Sequence, residues 1–559
     1  MLLAEWIGFA VFLALLLLGI RYLGNYIAAI FSGNLTFLDR VEQSVYRMSG
    51  INPTEEMTWR QYISTLLIFN SLGFVCLFLI LISQKFLPLN PQNLHGVPWA
   101  LAFNIASSFV TNTNWQSYVP ETTLSIFSQM MGLTVQNFLS AATGMAVMVA
   151  LTRSIQRKTS GTIGNFWSDY TKGLLYIFLP LAFVFALFLV TQGVPQTLQG
   201  IVEVNTFESQ VQKIPLGPVA SQIAIKQLGT NGGGYFNANS AHPFENPTPL
   251  SNLFETLALI LIPAAMVYAY GKMTGARKHA LLLLVVMFTL WGLGLLVAQI
   301  SQHVQNPLFG MAPIIEGQET RFGNFFSALW AISTTAASNG AVNSMLSSLS
   351  PIAGGIALFN IMLGEQVFGG VGVGLGSMLI FVLMTVFLAG LMVGRTPEYL
   401  GKKLERSEMQ WVIVALLSPG ALILLGSGFS ALLPKVHEYL SHQGPHGLTE
   451  LLYAFSSAAG NNGSAFAGIN ANNDYFNLTL GFIMLLARLA ILVPLVAIAG
   501  LLAAKKTTAT SAGTFEIDSS LFFVLLLGVI LIVGGLTFFP ALALGPLMEQ
   551  LLMLKGQTF

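Results

Sequence analysis

Ten apolar runs, each long enough to cross a lipid bilayer, constrain this 559-residue chain more than any other feature. A hydrocarbon core of about 30 Å needs roughly 20 apolar helical residues to span it. Runs of that kind lie near 3–24, 62–84, 129–152, 173–192, 253–271, 280–300, 372–394, 412–432, 478–502 and 521–545. With 54% hydrophobic and only 8% charged residues, the chain cannot clothe a soluble surface, so the bilayer is its main solvent. The fold class expected is an all-α membrane protein. The net charge of +1 argues against a nucleic-acid partner. Cys76, the single cysteine, sits in an apolar run, which excludes a structural disulfide and a cysteine-based metal site. Residues 2–20 are apolar and the first basic residue, Arg21, follows them. A signal peptide has the reverse order, so the first run reads as a transmembrane helix with its N-terminus outside.

The basic residues test this count. Loops between runs 1–2, 3–4, 5–6, 7–8 and 9–10 carry 17 of the 24 Lys and Arg residues, while the longer loops of the opposite side carry six. The remaining one, Arg488, lies inside the ninth run. This positive-inside bias places both termini outside.

Four loops on the outer side, near 85–128, 193–252, 301–371 and 433–477, each hold an apolar stretch too short to span. Stretches of about 10–14 residues read as re-entrant helices. Irregular backbone at membrane depth survives only where protein buries it or it lines a polar cavity, so four such loops imply a pore.

The loops repeat. ALWAISTTAASNGA at 328–341 aligns without a gap on LLYAFSSAAGNNGS at 451–464, at an offset of 123. VASQIAIKQLGTNGGG at 219–234 ends in a similar way, and ALAFNIASSFVTNTNWQS at 100–117 shares the shape with Thr for Gly. Aligned on that ending, the triplets are Thr111-Asn112-Thr113, Thr230-Asn231-Gly232, Ser338-Asn339-Gly340 and Asn461-Asn462-Gly463, with Asn throughout the second column. A dehydrated alkali cation needs rings of oxygens, commonly backbone carbonyls, in place of its water. Gly lets successive carbonyls turn inward, Thr, Ser and Asn brace the loop, and a helix C-terminus aimed at the ion favours a cation. A solitary GTNGGG would be an ordinary turn; four matching loops on one side form a pseudo-fourfold ring. The chemistry indicates a monovalent cation without choosing between sodium and potassium.

TNTNWQSY at 111–118, GLTVQNFLSAA at 132–142, GTNGGGYFNANSAHPFENPT at 229–248, GRTPEYLGKK at 394–403 and NNGSAFAG at 461–468 carry a resemblance. From about residue 55 to 545 the chain resembles the channel-like, potassium-translocating subunit of the Kdp-type potassium-transporting ATPase, within the superfamily of potassium transporters. The resemblance implies four membrane–pore–membrane repeats over 60–155, 170–275, 278–396 and 410–503, with an extra helix at each end over 1–25 and 520–547. It implies a potassium filter of Asn112, Thr113, Asn114, Thr230, Asn231, Gly232, Ser338, Asn339, Gly340, Asn461, Asn462 and Gly463. Family members commonly have Cys in place of Asn339 and Asn in place of Gly460; the first departure still supplies a backbone carbonyl. It further implies a complex in the bacterial plasma (inner) membrane with a P-type ATPase subunit, a single-span accessory subunit, a very small hydrophobic peptide and membrane lipid. The ion would leave the filter through a tunnel towards the ATPase subunit. A stand-alone potassium channel or ion-coupled transporter of the same superfamily is the alternative.

Three further residues are pathway candidates. Arg488, in GFIMLLARLAILV, is an intramembrane charge that either marks a pathway or sits in a buried ion pair, and Glu365, in MLGEQVFGGVGVGLG, is the carboxylate at comparable depth. The Gly-rich stretch 369–376 reads as a broken or flexible helix under the filter, with simple close helix packing as the alternative. Gln116, two residues beyond Asn114, could line the entrance. The segment 395–403, RTPEYLGKK, is either a solvated loop or a docking element for the ATPase subunit. The seven His residues lie in loops or at span ends with no HExxH and no Cys/His cluster, which argues against a catalytic metal. There is no GxxxxGK[ST] loop and no aspartate in a DKTG context, so the chain is expected to bind no nucleotide and to hydrolyse nothing itself.

Overall fold

The computed structural model describes all residues except 1, 2, 36, 209, 309, 365, 395, 509–514, 558 and 559. Among the described residues ten helices are long and apolar enough to cross a membrane: Leu3–Phe31, Trp59–Phe86, Ser128–Gln156, Phe166–Thr191, Pro249–Thr274, Arg277–Gln302, Val373–Val393, Arg406–Ala431, Asp474–Ala504 and Ser520–Leu554. Each coincides with one of the ten apolar runs. Most are longer than their runs because polar residues start them. Thr58 caps the second span in a reciprocal box with Gln61, and Thr248 does the same with Ser251 ahead of Pro249. Asn473 and Ser519 accept from the backbone N–H groups of Phe476 and Phe522 at the starts of the last two spans. Such caps satisfy N–H groups that the helix itself leaves orphaned.

Between the spans stand four short helices, Trp99–Val110, Val219–Leu228, Gly323–Ala336 and Gly444–Gly460. These are the pore helices expected of the four long loops. Protein rather than lipid surrounds them: Ala102, Ile105, Ile223, Ile225, Leu329, Trp330 and Tyr453 are fully buried. The third loop departs from the other three. It forms a second apolar helix, Pro351–Met362, and the chain breaks before the seventh span starts at Val373. Gly364, Gly369 and Gly372 adopt left-handed backbone angles across the break. At Gly372 a side chain is excluded outright, since a Cβ would overlap the carbonyl of Gly144 on the third span. The broken helix expected at 369–376 is therefore present.

The two terminal spans pack on the outside of this assembly. Leu3–Phe31 runs along Pro249–Thr274, seated at Gly19 and Gly24. Ser520–Leu554 lies against Pro351–Met362 and Val373–Val393; non-helical backbone at Gly545 turns its last segment onto the fourth pore helix. A two-stranded antiparallel hairpin pairs Ile201–Asn205 with Val211–Pro215 in the second long loop, a detail with no counterpart in the sequence reading.

The opposite face, where the basic residues cluster, is tied by ion pairs. Arg153 and Asp169 join the third and fourth spans, with the Tyr62 hydroxyl donating to Asp169 at 3.2 Å. Within the described part of RTPEYLGKK, 396–403, two residues are packed into the protein rather than solvated. Tyr399 and Lys402 are each 1% exposed. Tyr399 meets the Tyr270 hydroxyl and His279 Nε2, and Lys402 donates to the carbonyls of Arg157 and Lys505. The segment thus binds several spans to one another.

Glu56 closes the same face by accepting from Arg157 Nη1 at 2.6 Å and from Thr162. The Arg157 hydrogen bonds, opposed by partial burial and helped by Thr162, hold its carboxyl at about 2 rather than 4.5. A depressed carboxyl stabilises the fold above its unfolded pKa, and that contribution fades as pH falls from about 4.5 towards 2. Glu56→Gln should therefore melt earlier than wild type at neutral pH by a constant small margin, because the group is partly exposed. The margin should shrink below about pH 4.5 in thermal melts of the detergent-solubilised chain.

Candidate ion filter

The four pore helices end in the same way. Asn112, Thr230, Ser338 and Asn461 each take a left-handed backbone, with φ of 67°, 49°, 53° and 55°. The next residue in each loop donates its N–H back five positions: Thr113 to Ser108 (2.9 Å), Asn231 to Lys226 (3.0 Å), Asn339 to Thr334 (3.1 Å) and Asn462 to Ser457 (2.9 Å). Left-handed geometry is costly for non-glycine residues, most of all for β-branched Thr230. Its hydroxyl offsets the cost by donating to Gly229 O (2.7 Å) and accepting from Val371 N (2.9 Å).

This geometry corrects the alignment of the first loop. Thr111, set against Thr230 by sequence, is the C-cap of its helix, in the place of Gly229 and Ala337. The structural columns are Asn112, Thr230, Ser338, Asn461; then Thr113, Asn231, Asn339, Asn462; then Asn114, Gly232, Gly340, Gly463. The second column is therefore not Asn throughout. Asn114, with φ 56°, occupies the left-handed place held by Gly232 (102°) and Gly463 (97°). Asn is among the few side chains that tolerate that region, so it substitutes for glycine there. The twelve candidate residues are the members of these columns; eleven are buried and Gly463 is half-buried.

Side chains stitch each loop to the next around a closed ring. Asn112 Nδ2 donates to Thr230 O (2.9 Å) and Asn114 Nδ2 to Gly232 O (3.1 Å), joining loops one and two. Gly340 N reaches Asn231 O (3.4 Å) and Asn339 Nδ2 reaches Lys226 O (3.3 Å), joining two and three. Ser338 Oγ donates to Asn461 O (3.2 Å) and Asn462 Nδ2 to Thr334 O (3.2 Å), joining three and four. Asn461 Nδ2 donates to Thr113 Oγ1 (3.0 Å) and closes the ring. The contacts leave no room for larger residues: a Cβ on Gly232 would overlap the backbone of Gly340, and one on Gly463 the carbonyl of Thr113.

Asn231 spends its Nδ2 on this bracing, and Asn339 and Asn462 both ends of their amides. Asn339 Oδ1 accepts from Ala341 N (2.8 Å) and Asn462 Oδ1 from Ser464 N (3.0 Å). The groups left to meet a solute are uncharged oxygens at the negative ends of four helix dipoles. Such a ring suits a monovalent cation, whereas calcium sites enlist carboxylates.

Sequence reasoning counted Lys226 only as one of the basic residues on the loop side. It is completely buried in the second pore helix and donates to Glu245 Oε2 (2.6 Å), Ser240 Oγ (2.8 Å) and Asn239 Oδ1 (2.9 Å). Glu245 also accepts from Phe236 N (2.8 Å), so one ion pair anchors the chain on both sides of the second triplet. Glu245 lies in the long motif at 229–248, but nothing in the linear order pairs it with Lys226.

The remaining candidates separate. Half-buried Gln116 accepts from Gly234 N (2.9 Å) and donates to Gly234 O (3.2 Å), clamping the chain just beyond the second triplet. The break before the seventh span lies against the first column: Gly369 N donates to Ala336 O (3.1 Å), and a Cβ on Gly370 would sit 3.6 Å from the Ser338 and Thr230 hydroxyls. Arg488 is 8% exposed on the ninth span, where it lines a crevice of about 320 Å³ together with Asn70 and Thr111. It lies beside the first filter loop, and its guanidinium also reaches Gly144, against which Val371 of the break packs. Glu365 lies outside the described residues.

Four pore loops closed into one ring between membrane-spanning helices define a polytopic membrane protein of the potassium-transporter fold. The crystal structure of the potassium transporter TrkH from Vibrio parahaemolyticus shares that fold, with a TM-score of 0.52 over 88% of this chain and 97% of that one at 15% identity. Residues 10–551 match the model of the potassium-transporting ATPase A subunit, and the chain belongs to that family. Two similar relatives are the potassium-transporting ATPase potassium-binding subunits of Leptospira interrogans and Pseudomonas aeruginosa. The first is 50% identical over 99% of this chain and all of the relative, the second 52% identical over 97% of each.

Removing one partner of a buried ion pair strands the other charge, at a cost of about 3–5 kcal/mol. Lys226→Met should accordingly lower the melting temperature of the purified chain by several degrees. Lys226→Met combined with Glu245→Gln should recover part of the loss, which thermal melts of the single and double variants would resolve.

Proposed function

We propose that this chain binds potassium selectively in the ring of twelve loop residues and translocates it for an ATP-driven uptake complex. The observation that carries the reading is the closed ring of uncharged oxygens, with every loop held to its neighbour by a side-chain hydrogen bond. Relatives at about 50% identity named as potassium-binding subunits support potassium as the ion. In this reading the four repeats occupy 60–155, 170–275, 278–396 and 410–503. The basic loops face the cytoplasm of a bacterium, and the pore loops and both termini face outwards across the inner membrane.

The energy comes from a partner. Coupling ATP to transport needs a site to cradle its phosphates and a group to accept the phosphoryl, and neither motif occurs in this sequence. A P-type ATPase subunit supplies both, with a single-span subunit and a very small hydrophobic peptide completing the complex within the lipid. In this reading the backbone at 369–371, which lies against the first column, closes the path, and the ion leaves when that segment moves. Asn339, where Cys is common, uses its side chain for bracing, so the ion still meets the backbone carbonyl. Gln116 holds the outer edge of the ring through Gly234.

Gly232→Asp or Gly340→Asp should abolish discrimination of potassium from sodium and rubidium, since each places a carboxylate where two loops meet. Competitive binding to the purified chain measures it; wild-type selectivity in either variant contradicts the filter. Gln116→Arg should weaken potassium affinity more than Gln116→Asn, because it adds a cation at the mouth as well as removing the clamp. Equal uptake curves for the two would take Gln116 out of the pathway. Reconstituted alone in liposomes at zero potential with ATP, the chain should not accumulate potassium. Accumulation on a sodium or proton gradient would favour a stand-alone transporter, for which the TrkH-like fold is the supporting observation.

A further inference from the structure

The fourth pore helix carries a second cluster at its start, far from the triplet at its end. His446 and Glu450 stand four residues apart on one face of the helix, and His442 lies in the bend just before its first residue, Gly444. Each offers one ligand atom, and these atoms all lie within 4.8 Å of one another. The His442 and His446 rings meet edge to face at 4.4 Å between centroids. Glu450 is completely buried, and its Oε1 lies 2.7 Å from His442 Nδ1.

His446 gives the independent pointer to a ligand. Its Nδ1 is held 2.8 Å from Glu549 Oε1 on the terminal segment, while its Nε2 has no hydrogen-bond partner although the residue is only 8% exposed. In the neutral ring with its proton on Nδ1, towards the Glu549 carboxylate, Nε2 presents a lone pair. That is the tautomer and the outer partner that metal-bound histidines commonly have. His442, His446 and Glu549 also line a cavity of about 350 Å³, which gives an ion a way in.

We propose that His442, His446 and Glu450 form a binding site for a borderline divalent cation of the Zn²⁺ class, with Glu549 as its positioning residue. Two imidazole nitrogens and one carboxylate oxygen, with a fourth place for water, form a tetrahedral donor set that zinc favours. Nitrogen donors also set the site apart from the filter, because magnesium, calcium and alkali cations take oxygen. Through Glu549 a bound ion ties the terminal helix to the first turn of the fourth pore helix, and so steadies the helix that ends at Asn461 and Asn462.

The test uses the full chain, purified in detergent without a polyhistidine tag and stripped with chelator. Titration calorimetry with zinc chloride should show one saturable site, and magnesium chloride should show none. His442→Gln and His446→Gln should each weaken zinc binding at least about tenfold, and Glu549→Gln by about 10–100-fold. Potassium binding by His442→Gln, whose side chain is 42% exposed, should match wild type and certifies its fold. Cobalt should give the visible absorption of a tetrahedral site in wild type, lost in His446→Gln. Zinc binding equal in wild type and the His442→Gln/His446→Gln double variant overturns the proposal, as does an affinity for magnesium equal to that for zinc.

Discussion

Backbone that leaves a helix at membrane depth must find hydrogen-bond partners inside the protein, and this requirement organises the whole molecule. Each unsatisfied peptide group in hydrocarbon costs several kcal/mol. Four pore loops carry such groups into the centre of the bundle, and each answers the need with side chains from the next loop. Asn112 serves the carbonyl of Thr230, Ser338 that of Asn461, and Asn461 reaches the hydroxyl of Thr113. Because every loop depends on its neighbours, the ring forms as a unit or not at all. Glycine at 232, 340 and 463 is then a packing requirement, and the abundance of Asn a bonding one.

The same constraint separates bracing from ion binding. The side-chain Nδ2 groups of the second-column Asn residues are committed to neighbouring loops and helices, so these residues offer a solute oxygens and no donors. Neutral oxygens at helix C-termini attract a cation without trapping it, as conduction requires. Charge is kept one layer away: Lys226 lies in the second pore helix, but Glu245 neutralises it and turns a repulsive group into an anchor. The glycine-rich break before the seventh span contributes Val371 N to the Thr230 hydroxyl, so the break is hydrogen-bonded directly to the ring.

Much of this was legible in the sequence. Ten spans follow from run length, and their polar starts from residues such as Thr58 and Thr248. The pore loops were legible because short apolar stretches between spans have few other uses in a bilayer. The register of the first loop was not. Alignment by letter matched Asn112 with Asn231, whereas the backbone matches Asn112 with Thr230, since Asn and Gly serve alike at left-handed positions. Pairings between distant positions were also hidden. Lys226 with Glu245 and Lys402 with the Arg157 and Lys505 carbonyls depend on how the chain returns to itself, which loop composition does not encode. The His442–His446–Glu450 cluster matches neither HExxH nor a Cys/His pattern, and only the fold brings its three side chains together.

In the proposed filter the ion sits where the four left-handed residues meet. Crystals of the purified chain grown with rubidium in place of potassium, measured at the rubidium absorption edge, test it directly. Anomalous density on the axis bounded by Asn112, Thr230, Ser338 and Asn461 is the predicted result, with the peak displaced by excess potassium but not by sodium. Rubidium density confined to other parts of the chain, or a peak on that axis that sodium removes as readily as potassium, would contradict the account.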